Sequence, residues 1–146
     1  MTAGDPRTGA DAVTTAGAAS APQSAIDAII AAFGDHRRDD YFAGFAADAT
    51  FVFPTNELRL ESRAEYEAEW ERWEREDGFR VLRCASTRRR LQLLGDDIAV
   101  FSHDVETALA DGDGEMVSRE RETIVVQRRE GVWLGVHEHL SPHPAD

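Results

Sequence analysis

Lysine is absent from this chain of 146 residues, and all 16 of its basic residues are arginine, a usage that points to a GC-rich, bacterial genome. Cysteine occurs once, at Cys84, which excludes an internal disulfide. No apolar run approaches the ~18 residues of a membrane-spanning helix, so no membrane partner is expected. Phosphate-binding glycine loops, a Gly-x-Ser-x-Gly elbow and a dinucleotide fingerprint are all missing, which disfavours nucleotide chemistry and serine hydrolysis. Positive charge is also scarce: 28 acidic residues give a net charge of −12, which repels nucleic acid and anionic membranes. Asp5 and Asp11, among scattered Thr and Gly, argue against a signal peptide, and a cytoplasmic protein is expected.

What is present suffices for one core and one domain, because 42% of the residues are hydrophobic. Residues 1–22 contain no aromatic residue and, after Met1, a single large aliphatic, Val13. They are expected to form a disordered tail ahead of one domain over 23–144. Ser20-Ala21-Pro22-Gln23 has the form of a capping box, and the stripe Ile26, Ile29, Ile30, Phe33 predicts a helix ending at Gly34. A short helix from Asp39 groups Tyr41, Phe42 and Phe45. Thr50-Phe51-Val52-Phe53-Pro54 reads as a strand, paired with a short extended piece at 58–60. Ser62-Arg63-Ala64-Glu65 opens a third helix to about Asp77, closed by Gly78, with Tyr66, Trp70 and Trp73 on one face. Strands near 79–93, 98–109, 117–128 and 132–140 follow, joined by turns too short for a parallel crossover. The architecture is α+β, a curled antiparallel sheet with three helices on one face.

The order of elements, together with Gly95-Asp96-Asp97, Glu122-Thr123, and Trp133 followed by Val136-His137-Glu138-His139 and Ser141, resembles the nuclear transport factor 2 like superfamily. The run is similar to that in the association domain of calcium/calmodulin-dependent kinase II. The third helix is similar to that of bacterial SnoaL-like domains. The resemblance implies a cone-shaped sheet with the helices on its concave face, a homodimer, and no cofactor. It leaves the reaction open, because the superfold hosts isomerases, cyclases, dehydratases and non-catalytic modules. In the association domain arginines line the pocket. The resemblance places Asp104, Ile124 and Leu140 at those positions, so an anion pocket of that kind is not expected.

By strand phase and that alignment, Asp104, Glu122 and Glu138 are the candidate catalytic residues, three carboxylates whose gathering in an apolar cone would raise their pKa. Tyr41, Phe53, Tyr66, Trp70 and Trp73 are candidate substrate contacts, the hydroxyls and indole N–H groups giving an apolar wall polar handles. A bulge could swap the faces and bring His103, Arg121, His137 and His139 into the pocket instead, so these four are also candidate substrate contacts. His137-x-His139 is half of a metal site at most, with only His103 and His143 in reserve, and no metal is expected. Asp111-x-Asp113-x-Glu115 fails as a calcium loop at Met116, where glycine is required.

Two functions follow as expectations. The first is cofactor-free acid/base chemistry, by an isomerase, cyclase, dehydratase or hydrolase, on a small hydrophobic or polyketide-like molecule. The second is a non-catalytic assembly or ligand-sensing module. Phe101, Val105 and Leu109, taken to lie opposite Asp104, are expected near a dimer contact.

Overall fold

In the computed structural model, residues 6–144 are described, with side chains from residue 17. Helix α1 (Pro6–Gly34) leads into α2 (Arg38–Ala43), strand β1 (Phe45–Val52) and α3 (Arg63–Arg72), which ends in a π-helical turn, Trp73–Asp77. Four long strands complete the chain: β2 (Arg80–Leu93), β3 (Ile98–Asp111), β4 (Gly114–Arg129) and β5 (Val132–Pro142). The sheet order is β1-β5-β4-β3-β2. It is curled and unclosed, with α1, α2 and α3 on its concave side.

Two elements differ from the sequence expectation. Helix α1 does not begin at a Ser20 cap. It runs back to Pro6 and carries Pro22 inside it. The tail expected over 1–22 lies partly, at 1–5, outside the described residues. The second difference is β1, which joins the edge of the sheet parallel to β5, while β2 to β5 pair antiparallel throughout. Short turns force antiparallel pairing only on the last four strands, and β1 enters from a helix and leaves through another. The extended piece at 58–60 is reduced to one antiparallel bridge, Phe51 to Leu60.

The capping signature of α3 is realised. Ser62 Oγ accepts from the Glu65 N–H at 3.1 Å. Glu65 reaches back one residue further than the usual box, to the Glu61 N–H at 2.6 Å. Gly78 closes the helix in the left-handed region, φ 66°, where a side chain would be strained. Tyr66 and Trp70 are buried and Trp73 is half-buried, so the stripe faces the sheet as its spacing predicts. Trp70 stands edge-on to Phe79 with centroids 5.0 Å apart, and Tyr66 packs on Phe51 at 4.6 Å. Such aromatic pairs each contribute about 0.5–1.5 kcal/mol beyond their buried area. They bind the helices to the concave face and leave a gap beneath. Among the described residues, no helix is long and apolar enough to cross a membrane.

Gly135 marks where β1 and β5 approach most closely. A Cβ there would meet Phe45 Cδ1 at 2.5 Å, and Phe45 is fully buried and has nowhere to move. We expect Gly135→Ala to lower stability by about 1–3 kcal/mol, as overpacking does. Urea denaturation checks this, and an unchanged midpoint would contradict it.

Candidate active site

The concave face is set by how the hairpins close. A two-residue turn pairs Asp111 with Gly114, and the β3–β4 ladder then runs without a shift, placing His103 opposite Glu122 and Asp104 opposite Arg121. Residues opposite one another point to the same side, so His103 joins Glu122 on the concave face and Asp104 does not. The β4–β5 ladder carries one extra residue, Val136, beyond which Ile124 faces Glu138 and Glu122 faces Leu140. That bulge brings Glu122 and Glu138 to the same side.

Above these strands the helices leave a cavity of about 360 Å³. Ile29, Ile30 and Phe33 of α1, Tyr41 of α2, Tyr66 of α3 and the Phe53–Thr55 loop form its roof. Val105, Thr107 and Leu109 of β3, Glu120 and Glu122 of β4, and Glu138 and Leu140 of β5 form its floor, with Cys84 at one side. Trp73, Asp77, Phe79 and Asp111 complete the lining. The π-helical turn is tied to the β3–β4 hairpin by the Gly112 N–H, which donates to the Asp77 carbonyl at 2.8 Å.

A chain of polar groups starts in this lining and runs back into the sheet. Tyr66 and Tyr41 hydroxyls lie 3.0 Å apart, and the Tyr41 hydroxyl donates to both Glu138 oxygens at 3.3 Å. Glu122 is the neighbouring carboxyl on the floor, close enough to act on the titration of Glu138. Glu122 Oε1 lies 2.7 Å from His103 Nε2, and His103 Nδ1 lies 2.6 Å from Ser86 Oγ. Ser86 lines a second groove, between α1 and β2, together with Asp27 and Arg89. One proton arrangement satisfies every partner. Glu138 is protonated and accepts from Tyr41, while Glu122 accepts from His103 Nε2–H. His103 Nδ1 then accepts the Ser86 proton.

Electrostatics favours the same arrangement. Burial of Glu138, which is 3% exposed, pushes its carboxyl well above the usual carboxylate range, and the neighbouring Glu122 adds to the rise; the Tyr41 hydrogen bond opposes it. Burial, followed by the proximity of Glu138, raises both Tyr41 and Tyr66, so neither phenol ionises near neutral pH. Burial also raises Glu120, against the Ser118 hydroxyl, and pushes the Cys84 thiol up to about 11. A carboxyl kept neutral by burial, beside a second carboxyl, is the pairing from which an acid and a base are drawn in one cavity.

The sequence candidates divide as follows. Glu122, Glu138, Tyr41, Phe53, Tyr66 and Trp73 line the cavity. Trp70 is fully buried behind it, within the aromatic core, and His103 lies behind Glu122. Asp104 is on the outer face with His143 at 3.3 Å and Arg88 at 3.7 Å, because the hairpin closure gives it the wrong parity. Arg121, His137 and His139 are on that outer face too, and the alternative in which faces swap does not occur for them. His137 bonds to Thr50 of β1 at 2.7 Å. Phe101, Val105 and Leu109, expected near a dimer contact, belong to the concave core and cavity instead, for the same reason as Asp104. Glu120 was missed, although its place two residues before Glu122 puts it on the same side of the strand. Asp77 and Asp111 carry no such signal, since they reach the lining only through the packing of turn on hairpin. Among the described residues, no three His, Cys, Asp or Glu side chains gather as metal ligands.

A family model described as the SnoaL-like domain matches residues 23–146. Among solved structures, a chain described as a calcium/calmodulin-dependent protein kinase II association domain, from Xanthomonas campestris, is similar at 24% identity and TM-score 0.69, over 83% of this chain and 84% of that one. A ketosteroid isomerase-like protein from Erwinia carotovora atroseptica is similar at 13% identity and TM-score 0.71, over 84% and 94%. An NTF2-like protein of unknown function from Pseudomonas putida is similar at 21% identity and TM-score 0.64, over 82% of each chain. No curated protein matches.

The buried acid has a consequence for stability. A free carboxyl titrates near 4, whereas Glu138 in the folded chain titrates well above that. The neutral form is therefore the one the fold favours. The stability Glu138 contributes is fully present below the unfolded value and is lost as pH rises through the folded one. Glu138→Gln cannot ionise, so the stability of the native chain relative to this variant should fall as pH rises from the free-carboxyl range toward the raised folded value. Thermal melts across that range check the trend, and a difference independent of pH would contradict it.

Proposed function

Because the chain belongs to the SnoaL-like domain family, we propose that its cavity performs cofactor-free acid/base chemistry on a small, mainly apolar molecule. The observation that carries the reading is the Glu138–Glu122 carboxyl pair at the floor of an open, aromatic-walled cavity. Glu122 takes a proton from an activated C–H, and the neutral Glu138, held by Tyr41, donates a hydrogen bond to the oxygen on which charge develops. His103 and Ser86 act as positioning residues, holding Glu122 at 2.7 Å and fixing the imidazole tautomer at 2.6 Å. Proton abstraction followed by return at another atom gives an isomerisation, and loss of a leaving group gives a dehydration. A polyketide-like ring with an enolisable ketone fits both the apolar walls and this pair.

A cone that served only as hydrophobic core would be filled by side chains. The open volume of about 360 Å³ supports a binding or catalytic role instead. To test the chemistry, 5-nitrobenzisoxazole, which opens when a base removes its C–H proton, can be followed by absorbance. We expect Glu122→Gln to lower the rate by about 10²-fold or more, the usual contribution of a positioned base, with the circular dichroism spectrum unchanged. Equal rates for the native chain and the variant would overturn the assignment.

We also propose a homodimer through the outer sheet face. Val100, Val125 and His137 form one row across β3, β4 and β5 on the side no helix covers, and Ser102, Thr123 and His139 form the next. A row of this kind buries its valines only against a partner. Sedimentation velocity should show a dimer that Val125→Glu converts to a monomer; a native monomer at tens of micromolar would contradict it.

A further inference from the structure

We propose that the cavity takes a ligand that carries a protonated amine on an apolar body, the ammonium resting against Glu120, with Asp77 and Asp111 farther along the same lining. This inference rests on the reading of the cavity as the functional site and adds the charge of what enters it.

The lining has one sign. Its twenty residues include Asp77, Asp111, Glu120, Glu122 and Glu138, and no arginine or histidine, although the chain has 16 arginines and five histidines. The separation is built into the strands. On β4 the glutamates at 120 and 122 face inward, and the alternating Arg119 and Arg121 lie exposed on the other face. An anionic ligand would meet carboxylates with no counter-ion in the walls, and its desolvation would go uncompensated.

Glu120 differs from the two deeper carboxyls in what it lacks. Glu122 is held by His103, and Glu138 by Tyr41. Glu120 is half-buried, and its one hydrogen-bond partner among the described residues is the Ser118 hydroxyl, at 2.9 Å. No cationic side chain forms an ion pair with it among the described residues. A carboxylate in an apolar wall is a strong site for an ammonium, which restores the compensation the protein omits. Trp73 and Phe79, 5.6 Å apart between centroids, together with Phe33, present aromatic surface to the same space, and cations are attracted to such faces. Asp77 and Asp111, both exposed and joined through the Gly112 bond, add a negative field along the same lining.

Three probes of equal length separate charge from apolar fit: 4-phenylbutylamine, 4-phenylbutan-1-ol and 4-phenylbutyrate. Their binding to the full chain at pH 7.5 and low salt can be followed by calorimetry and by tryptophan fluorescence, with Trp73 in the cavity wall. We expect the amine to bind about tenfold more tightly than the alcohol, and the carboxylate to bind most weakly. Glu120→Gln should remove the amine's advantage and leave alcohol binding within about twofold, because the apolar contacts persist. A preserved circular dichroism spectrum and melting curve establish that the variant folds. An alcohol or carboxylate that binds as tightly as the amine would overturn the proposal and leave the proton-transfer reading standing. An amine preference that survives Glu120→Gln would overturn the assignment to this carboxylate. Failure of all three probes to bind would overturn the cavity reading itself, and the amine proposal with it.

Discussion

Placing the Glu138 carboxyl in the aromatic interior is the constraint around which the rest of the concave face is organised. A charged carboxylate there would be prohibitively desolvated, so the group must remain neutral or be fully paired. Tyr41 supplies its hydrogen-bond partner, and the neighbouring Glu122 is held in turn by His103. Each member fixes the next, out to Ser86 at the edge of a second groove. The two tyrosines come from α2 and α3, so the same hydrogen bonds that satisfy Glu138 also seat both helices on the sheet.

That seating explains how a stable core coexists with an open cavity. Trp70, Phe45, Phe51 and Phe101 are fully buried and carry the packing. The cavity lies beside them, lined by the buried Tyr41, Phe53 and Tyr66 and by the half-buried Phe33, Trp73 and Phe79. The polar chain runs between the two. It gives the floor of the cavity an acid and a base without exposing either to bulk water.

Much of the fold was legible in the sequence because its signals are local. The Ser62 cap, the Tyr66-Trp70 stripe and the glycine-acid turns each announce an element within a few residues. The parallel edge strand was not, since β1 meets β5 across more than eighty residues and nothing within its own segment specifies direction. At the site, Glu122 and Glu138 were placed correctly and Asp104 was not, and the difference is one of parity. A two-residue closure at Gly112-Asp113 pairs odd positions of β3 with even positions of β4, which selects His103. Glu122 and Glu138 share a face only because Val136 is bulged. Alternation within a strand is legible in a sequence; the relative phase of two strands is legible only when the turn and any bulge between them are fixed. Glu120, by contrast, follows from Glu122 by simple alternation.

The most direct test of this account is the protonation state of Glu138 itself. Carbon-13 labelling of the glutamate side chains, with Glu138→Gln and Glu122→Gln used to assign the two resonances, allows each carboxyl to be followed through a pH titration by NMR. At pH 7 the Glu138 carboxyl carbon should have the shift of a protonated acid. A Glu138 resonance that is already ionised at pH 7, and that titrates near 4 like a free side chain, would contradict it.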